Sequence, residues 1–384
     1  MSGTLLVIAG EASGDLHGAE LLRELKARRP DLRIIGIGGE GMAPHLDRQL
    51  AHVKDLGVVG FIEVIKHLPA LNRLFKLILE SAKEESIEAA LFIDYPGLNL
   101  RLAKSLRGSM PAVKLHQYVC PQVWAWKKGR IPELGRVLDT LYCLFDFEPA
   151  LFKGFPVEAI WVGNPLVEMV KPEVDRGHFF SSTGLDPLKP LTALLPGSRE
   201  GEIQRLLPPM AELARRWRDD GDAMHRGMQW VLPVAPTLSD EFIRAFLDGT
   251  PILPLRSQSY AARAYADAAL VASGTATLET ALLGTPFAIV YKLNPLTYAM
   301  AKSFVKLPYF GLANVVAGRG VVEELVQGQV NPDELSKVLT GLLDPVTAAR
   351  IRGDLGTVRQ HLGEPGAAAR VAEHLLHSME LNRK

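Results

Sequence analysis

The clearest chemistry in this chain is written in Leu191 to Ile203, LTALLPGSREGEI. The apolar run Ala193 to Leu195 reads as a buried strand, and Pro196-Gly197-Ser198 breaks it just before a polar segment that opens an amphipathic helix. A phosphate suits such a turn. Backbone N–H groups at a helix N-terminus favour an anion, Gly197 lets the backbone approach it, and Arg199, beside Ser198, is built to hold phosphate oxygens bidentately. A plain structural turn fits the same residues, because strand, glycine turn and helix start recur throughout α/β proteins.

A second segment, ASGTATLE (Ala272 to Glu279), repeats this logic, with Ser273-Gly274-Thr275 at a helix start and Glu279 one turn further on. A carboxylate there accepts from the two hydroxyls of a ribose. The competing reading is a helix capped by Ser273 or Thr275, with Glu279 favouring its dipole. Two phosphate-suited loops in one half of the chain point to a nucleoside diphosphate. Asp94 ends an apolar strand and precedes Tyr95-Pro96-Gly97, a turn that would present its carboxylate as a general base; the alternative is a cap for a helix starting near Asn99. An aspartate of ordinary acidity, pKa about 4, is ionised at pH 7 and accepts a proton from an attacking hydroxyl. Near the N-terminus, GEASGD (Gly10 to Asp15) supplies Glu11, Ser13, Gly14 and Asp15 to the same kind of loop, with Ser13 as a candidate N-cap. Tyr118 to Trp126, YVCPQVWAW, fits core packing or sugar stacking equally. His17 reads as a local or surface residue rather than a catalyst, and His374 and His377 are too isolated for a metal site.

These residues need a scaffold. Apolar runs at Leu5 to Ala9, Ile34 to Ile37, Ala90 to Ile93, Val113 to Leu115, Leu141 to Phe145 and Ile160 to Val162 alternate with helical stretches, the first running to about Arg28 with Leu16, Ala19, Leu22 and Leu25 on one face. A second series follows at Leu191 to Leu195, Trp230 to Val234, Ala268 to Ala272 and Phe287 to Tyr291. Strands without polar alternation that alternate with helices predict parallel, doubly wound sheets. The expectation is an α/β chain of two Rossmann-like domains facing a cleft, residues 1–167 and 168–345, with helices from about 346 to 384 returning to the first. Ligands of such sheets bind beyond the carboxyl ends of the strands, where all the candidates above fall.

Composition narrows the partners. Lys+Arg and Asp+Glu are 43 each among 384 residues, so no net charge draws the chain to nucleic acid. The two cysteines, Cys120 and Cys143, show no metal-ligand spacing, which argues against zinc and against a disulfide framework and fits a reducing cytoplasm. Neither a signal peptide nor a spanning run of ~18 apolar residues is legible. One segment suits a membrane surface: Leu56 to Leu79 is crowded with apolar side chains, Leu71, Leu74 and Leu77 among them, and carries Lys66, Arg73 and Lys76 against Glu63. A core helix flanked by lysines has the same makeup.

Taken in order, GEASGDLHGA (Gly10 to Ala19), IDYPGLN (Ile93 to Asn99), YVCPQVWAW, VGNPL (Val162 to Leu166), LLPGSREGEI, ASGTATLE and YKLNPLTY (Tyr291 to Tyr298) resemble the motifs of the lipid-A-disaccharide synthase family nearly end to end. The resemblance implies a glycosyltransferase B fold and transfer, with inversion, of 2,3-diacylglucosamine from UDP-2,3-diacylglucosamine to the 6-hydroxyl of 2,3-diacylglucosamine 1-phosphate, giving a β-1,6 disaccharide and UDP. It implies Asp94 as base, Arg199 at the diphosphate, Ser273, Gly274, Thr275 and Glu279 in the nucleotide loop, and Asn314 near the donor. No cofactor or metal is implied, and the location would be the cytoplasmic face of the inner membrane. Oligomeric state is left open. The chain departs from the family at Cys120, where Ser is usual, Asn164, where His is usual, and Ala313, where Pro is usual, and at Leu144 to Glu148, where the family has an LPFE-like run. Two competing classes are a UDP-sugar 2-epimerase, which shares the architecture, and a non-catalytic sugar-nucleotide or lipid binding protein.

Overall fold

A computed structural model of the chain describes residues 3–56, 64–125, 128–220, 222–294, 298 and 308–382. It divides into two compact units, one extending to Pro165 and taking up the chain again from Gly363, the other comprising Leu166–Leu362.

In the first unit the order is β1 (Thr4–Ala9), α1 (Ala12–Arg28), β2 (Arg33–Gly38), β3 (Arg48–His52), α2 (Val53–Leu56), α3 (Val64–Glu84), β4 (Ala89–Ile93), α4 (Pro96–Ser109), β5 (Lys114–Tyr118), α5 (Ile131–Val137), β6 (Thr140–Cys143) and β7 (Glu158–Trp161). All seven strands are parallel, in the order β3-β2-β1-β4-β5-β6-β7. The order reverses between β1 and β4, so their carboxyl ends make the switch point at which open α/β sheets bind ligands. Every residue of β1 and β4 is buried, as their unbroken apolar runs require.

The second unit runs α6 (Leu166–Met169), α7 (Arg176–Thr183), β8 (Leu191–Leu195), α8 (Glu200–Asp220), α9 (Ala223–Arg226), β9 (Gln229–Pro233), α10 (Asp240–Leu247), β10 (Ile252–Leu255), α11 (Ser259–Ala264), β11 (Ala268–Ala272), α12 (Thr275–Leu283), β12 (Phe287–Tyr291), α13 (Leu312–Ala317), β13 (Glu324–Val326), α14 (Pro332–Leu343) and α15 (Pro345–Leu362). Its six strands are parallel in the order β10-β9-β8-β11-β12-β13, and the reversal lies between β8 and β11.

Three expectations change here. The strands β3, β10 and β13 were not expected: β3 and β13 carry no apolar run, Pro254 interrupts that of β10, and all three lie at sheet edges, where one side needs no burial. The return to the first unit begins at Gly363 rather than near 346, because α15 packs on α12, α13 and α14. Only α16 (Ala367–Leu381) crosses, packing on α1 and β5 and adding Val371, Ala372 and Leu375 to the first core. Arg370 anchors it, donating to the carbonyls of Val162 (2.8 Å), Pro365 (2.8 Å) and Glu364 (2.6 Å). Thirdly, α1 buries Leu21, Leu22 and Leu25 but leaves Leu16 54% exposed, and its N-cap position is Glu11, not Ser13.

Within that first core His116 on β5 is fully buried, stacked on Tyr142, whose hydroxyl lies 3.4 Å from His116 Nδ1 and 3.1 Å from His374 Nδ1. Burial pushes the His116 imidazole down to about 3, opposed by Asp139 and assisted by His374 and Lys114. The folded chain therefore keeps it neutral while the unfolded chain, titrating near pH 6.5, takes up a proton. Stability should fall as pH drops from about 6.5 toward 3, and His116→Gln should flatten that fall. Urea unfolding at pH 7 and pH 4.5 measures both slopes; an identical pH dependence in the variant would contradict the assignment.

Candidate active site

At the first switch point the chain leaves β4 through two consecutive left-handed residues, Asp94 (φ 53°) and Tyr95 (φ 42°). Non-glycine residues held there cost of order 1 kcal/mol each, so the surroundings must hold them. They do so from several sides. Asp94 N donates to the Tyr118 carbonyl (3.0 Å), while the Asp94 carbonyl accepts from Asn99 Nδ2 (2.7 Å) and Gln117 Nε2 (3.1 Å). Tyr95 lies against Gly10, where a Cβ would come 2.4 Å from Tyr95 Cβ. The helix that follows starts at Pro96 with Tyr95 as its N-cap, so Asp94 does not serve as that cap.

The Asp94 carboxylate is half-buried, accepting from Tyr95 N (2.9 Å) and from Ser13 Oγ (3.0 Å), and Ser13 Oγ lies also 3.2 Å from Glu11 Oε1, so the two carboxylates compete for its single proton. His17, read from the sequence as a local or surface residue, packs edge-on to Tyr118, and its Nδ1 is buried with no partner among the described residues. Burial pushes this imidazole down and the Asp94 charge pulls it up. A carboxylate, a hydroxyl and a neutral imidazole thus meet at one strand end, which is a proton-accepting arrangement. Two neighbours do other work. Asp15 accepts from Gly39 N (2.5 Å), Gly41 N (2.9 Å) and Met42 N (3.0 Å), so its carboxylate is committed to the loop after β2 rather than to an acceptor. Gly14 is buried against β4, where a Cβ would come 3.2 Å from the Ile93 carbonyl.

At the second switch point a cavity of about 710 Å³ is lined by Gly197, Ser198 and Arg199 from the β8 loop and by Ser273, Gly274, Thr275 and Glu279 from the β11 loop and α12. The volume suits a small-molecule ligand. One expectation fails in detail. The N–H groups of Ser198 (2.9 Å) and Arg199 (3.3 Å) are already taken by Glu202 Oε2, and Gly197 (φ 117°) is the residue whose missing Cβ leaves room for that carboxylate. Glu173, likewise missed, caps α11 through Tyr260 N (3.0 Å) and Ala261 N (2.8 Å). By contrast, α12 starts at the N-cap Gly274 (φ 155°) with no side-chain cap; Ser273 Oγ turns away to the Phe310 carbonyl (2.8 Å). The uncapped α12 terminus is therefore the better anion site of the two. Arg199 is exposed and its side chain has no partner among the described residues. Glu279 is paired with buried Arg263 (2.7 Å) and accepts from Tyr260 Oη (3.4 Å), which holds the carboxylate at the cavity wall.

Asn314 does not reach that cavity as a ligand-binding group. It is 1% exposed, its Oδ1 accepts from Val321 N (2.8 Å) and Val322 N (3.0 Å), and its Nδ2 donates to the Val322 carbonyl (2.9 Å) and Glu324 Oε1 (2.8 Å). All of its usual bonding capacity is spent on the fold. Along α3, Leu74 packs partly on the core and Leu77 is 39% exposed, so the expected shared face of Leu71, Leu74 and Leu77 is split; the side chain of Leu71, and residues 57–63, lie outside those described. No helix among the described residues is long and apolar enough to cross a membrane. Trp124 is a core residue, 6% exposed and donating to Glu148 Oε1 (3.1 Å), while Trp126 lies outside the described residues. Cys120 and Cys143, which show no metal-ligand spacing in the sequence, meet Glu148 in the first core.

Replacing Asn314 by Ala would strand two buried N–H groups, a loss of roughly 2–6 kcal/mol at about 1–3 kcal/mol for each group left unsatisfied. Chemical denaturation should show that loss, while nucleotide affinity of the folded fraction stays within error; weakened nucleotide binding at full stability would restore Asn314 to the ligand.

Residues 5–364 match the family model described as lipid-A-disaccharide synthetase. The lipid-A-disaccharide synthase of Myxococcus xanthus (strain DK1622) is 38% identical over 382 residues, covering 99% of this chain and 98% of that protein. Among solved structures, MurG from Acinetobacter baumannii superposes with a TM-score of 0.56 at 14% identity, covering 98% of this chain and 100% of that one. UDP-GlcNAc 2-epimerase from Neisseria meningitidis, bound to UDP-GlcNAc, gives 0.62 at 10% identity over 97% and 100%. At those identities the superpositions establish the two-unit, glycosyltransferase B type of fold, and the sequence match establishes the rest: the chain belongs to the lipid-A-disaccharide synthase family.

Proposed function

We propose that this chain transfers 2,3-diacylglucosamine from UDP-2,3-diacylglucosamine to the 6-hydroxyl of 2,3-diacylglucosamine 1-phosphate, with inversion, releasing UDP. The observation that carries the reading is Asp94: in a chain of this family, a half-buried carboxylate is held in a strained backbone at a switch point and shares a serine proton. In the proposed step Asp94 takes the proton of the acceptor 6-hydroxyl as its oxygen bonds to the anomeric carbon, and the bond from that carbon to the diphosphate breaks. Ser13 orients the carboxylate, and Glu11 competes for the same proton. The departing diphosphate charge falls to Arg199 and to the uncapped N-terminus of α12, with Glu279 receiving the ribose hydroxyls.

Acyl chains on both substrates give α3 a role at a membrane surface, through Leu77 and the neighbouring Arg73 and Lys76. Under this reading the first unit is the acceptor side and the second the UDP side. The epimerase alternative shares only the fold, and a chain that converts UDP-N-acetylglucosamine alone to its 2-epimer would replace the transferase.

Asp94→Asn should lower kcat by roughly 10²–10⁴-fold, the usual worth of a general base, with UDP affinity retained. Undiminished turnover sinks the proposed base. Arg199→Ala should weaken UDP binding by roughly tenfold or more, since charged hydrogen bonds contribute about 1.5–3 kcal/mol; calorimetry showing unchanged affinity removes it from the donor site. Leu77→Ser combined with Lys76→Glu should reduce flotation with anionic vesicles without altering turnover on micellar substrates, and unchanged flotation would assign α3 to the core alone.

A further inference from the structure

Cys120 lies two residues beyond β5, Cys143 is the last residue of β6, and Glu148 follows in the turn after β6. Their two sulfur atoms and one carboxylate oxygen fall within 4.8 Å of one another, and the three residues are 3%, 0% and 1% exposed. Two sulfurs, protonated here and donating to the carbonyls of Pro121 and Leu141, and one hard oxygen make three of the four donors that a thiophilic d¹⁰ cation takes. Zinc takes sulfur at ~2.3 Å and carboxylate oxygen at ~2.0–2.2 Å, which puts ligand atoms roughly 3.5–3.8 Å apart on a tetrahedron, inside the observed spread. The carboxylate is fixed by hydrogen bonds: Oε1 accepts from Trp124 Nε1 (3.1 Å), and Oε2 from Leu144 N (3.0 Å) and Phe145 N (3.1 Å), leaving acceptor capacity toward the sulfurs.

We propose that Cys120, Cys143 and Glu148 form a structural site for one thiophilic divalent cation of the zinc class. Binding exchanges two S–H bonds for two sulfur–metal bonds and releases two protons to solvent, with no change of oxidation state. The cation would tie the carboxyl end of β5 to that of β6. It sits one strand over from the catalytic candidate, since Tyr118 accepts from Asp94 N and Gln117 donates to the Asp94 carbonyl. The site does not depend on which reaction the chain performs.

Metal analysis of full-length protein from zinc-supplemented cells should find about one zinc per chain. Protein stripped by chelator and titrated with Co²⁺ should develop sulfur-to-cobalt charge-transfer absorption that saturates at one equivalent and raises the melting temperature. The chain has no other cysteine, so such a band reports these two sulfurs. Cys120→Ser, nearly isosteric, should lose the bound zinc and weaken the band while remaining folded by circular dichroism. Glu148→Gln should keep a band but bind Co²⁺ at least about tenfold more weakly. Absence of both retained zinc and a charge-transfer band would overturn the site. So would zinc content and Co²⁺ affinity unchanged in Cys120→Ser.

Discussion

The reversal of strand order beside β1 and beside β8 is the constraint on which the rest depends. Parallel pairing puts Ala9 opposite Ile93 and Leu195 opposite Val271, so the loops that leave those strands emerge together at one edge of each sheet. The helices that follow depart to opposite faces and leave room between them. Every residue with a claim to chemistry is placed by that arrangement: Glu11, Ser13 and Asp94 in the first unit, Arg199, Gly274 and Glu279 in the second. The strain at Asp94 and Tyr95 is tolerable because the neighbouring strand β5 and the start of α4 supply hydrogen bonds to the same backbone.

Carboxylates in this protein divide by what they accept. Asp15, Glu173, Glu202 and Glu324 each take two or more backbone N–H groups and are spent on loops and helix ends. Asp94 takes one neighbouring N–H and a shared hydroxyl proton, so it keeps acceptor capacity. Glu279 is balanced by Arg263 yet remains at the cavity wall. A buried or helix-end carboxylate is therefore no sign of function here; the informative property is unspent capacity beside a cavity or switch point.

Much of this was legible in the letters. Interior strands announce themselves as unbroken apolar runs, and Leu191–Leu195, Ala268–Ala272 and Phe287–Tyr291 match their expected bounds. The edge strands β3, β10 and β13 did not, because a strand covered on one side needs little apolar surface, whereas the edge strand β7 was legible at Ile160 to Val162. The two phosphate-suited loops were also visible, but not their relative standing. Whether Glu202 or a ligand fills the N–H groups of Ser198 and Arg199 depends on a side-chain rotamer that spacing does not encode. Cys120, Cys143 and Glu148 were invisible as a group because strand pairing, not sequence distance, brings them together. The burial of Asn314 and the orphaned Nδ1 of His17 are tertiary facts of the same kind.

The most direct test of the account is turnover by the purified wild-type chain supplied with UDP-2,3-diacylglucosamine and 2,3-diacylglucosamine 1-phosphate in detergent micelles, with both products followed by mass spectrometry. The account predicts equimolar UDP and β-1,6-linked disaccharide 1-phosphate, dependent on both substrates. UDP donor bound but no disaccharide formed, or UDP-N-acetylglucosamine epimerised in the absence of any acceptor, would contradict it.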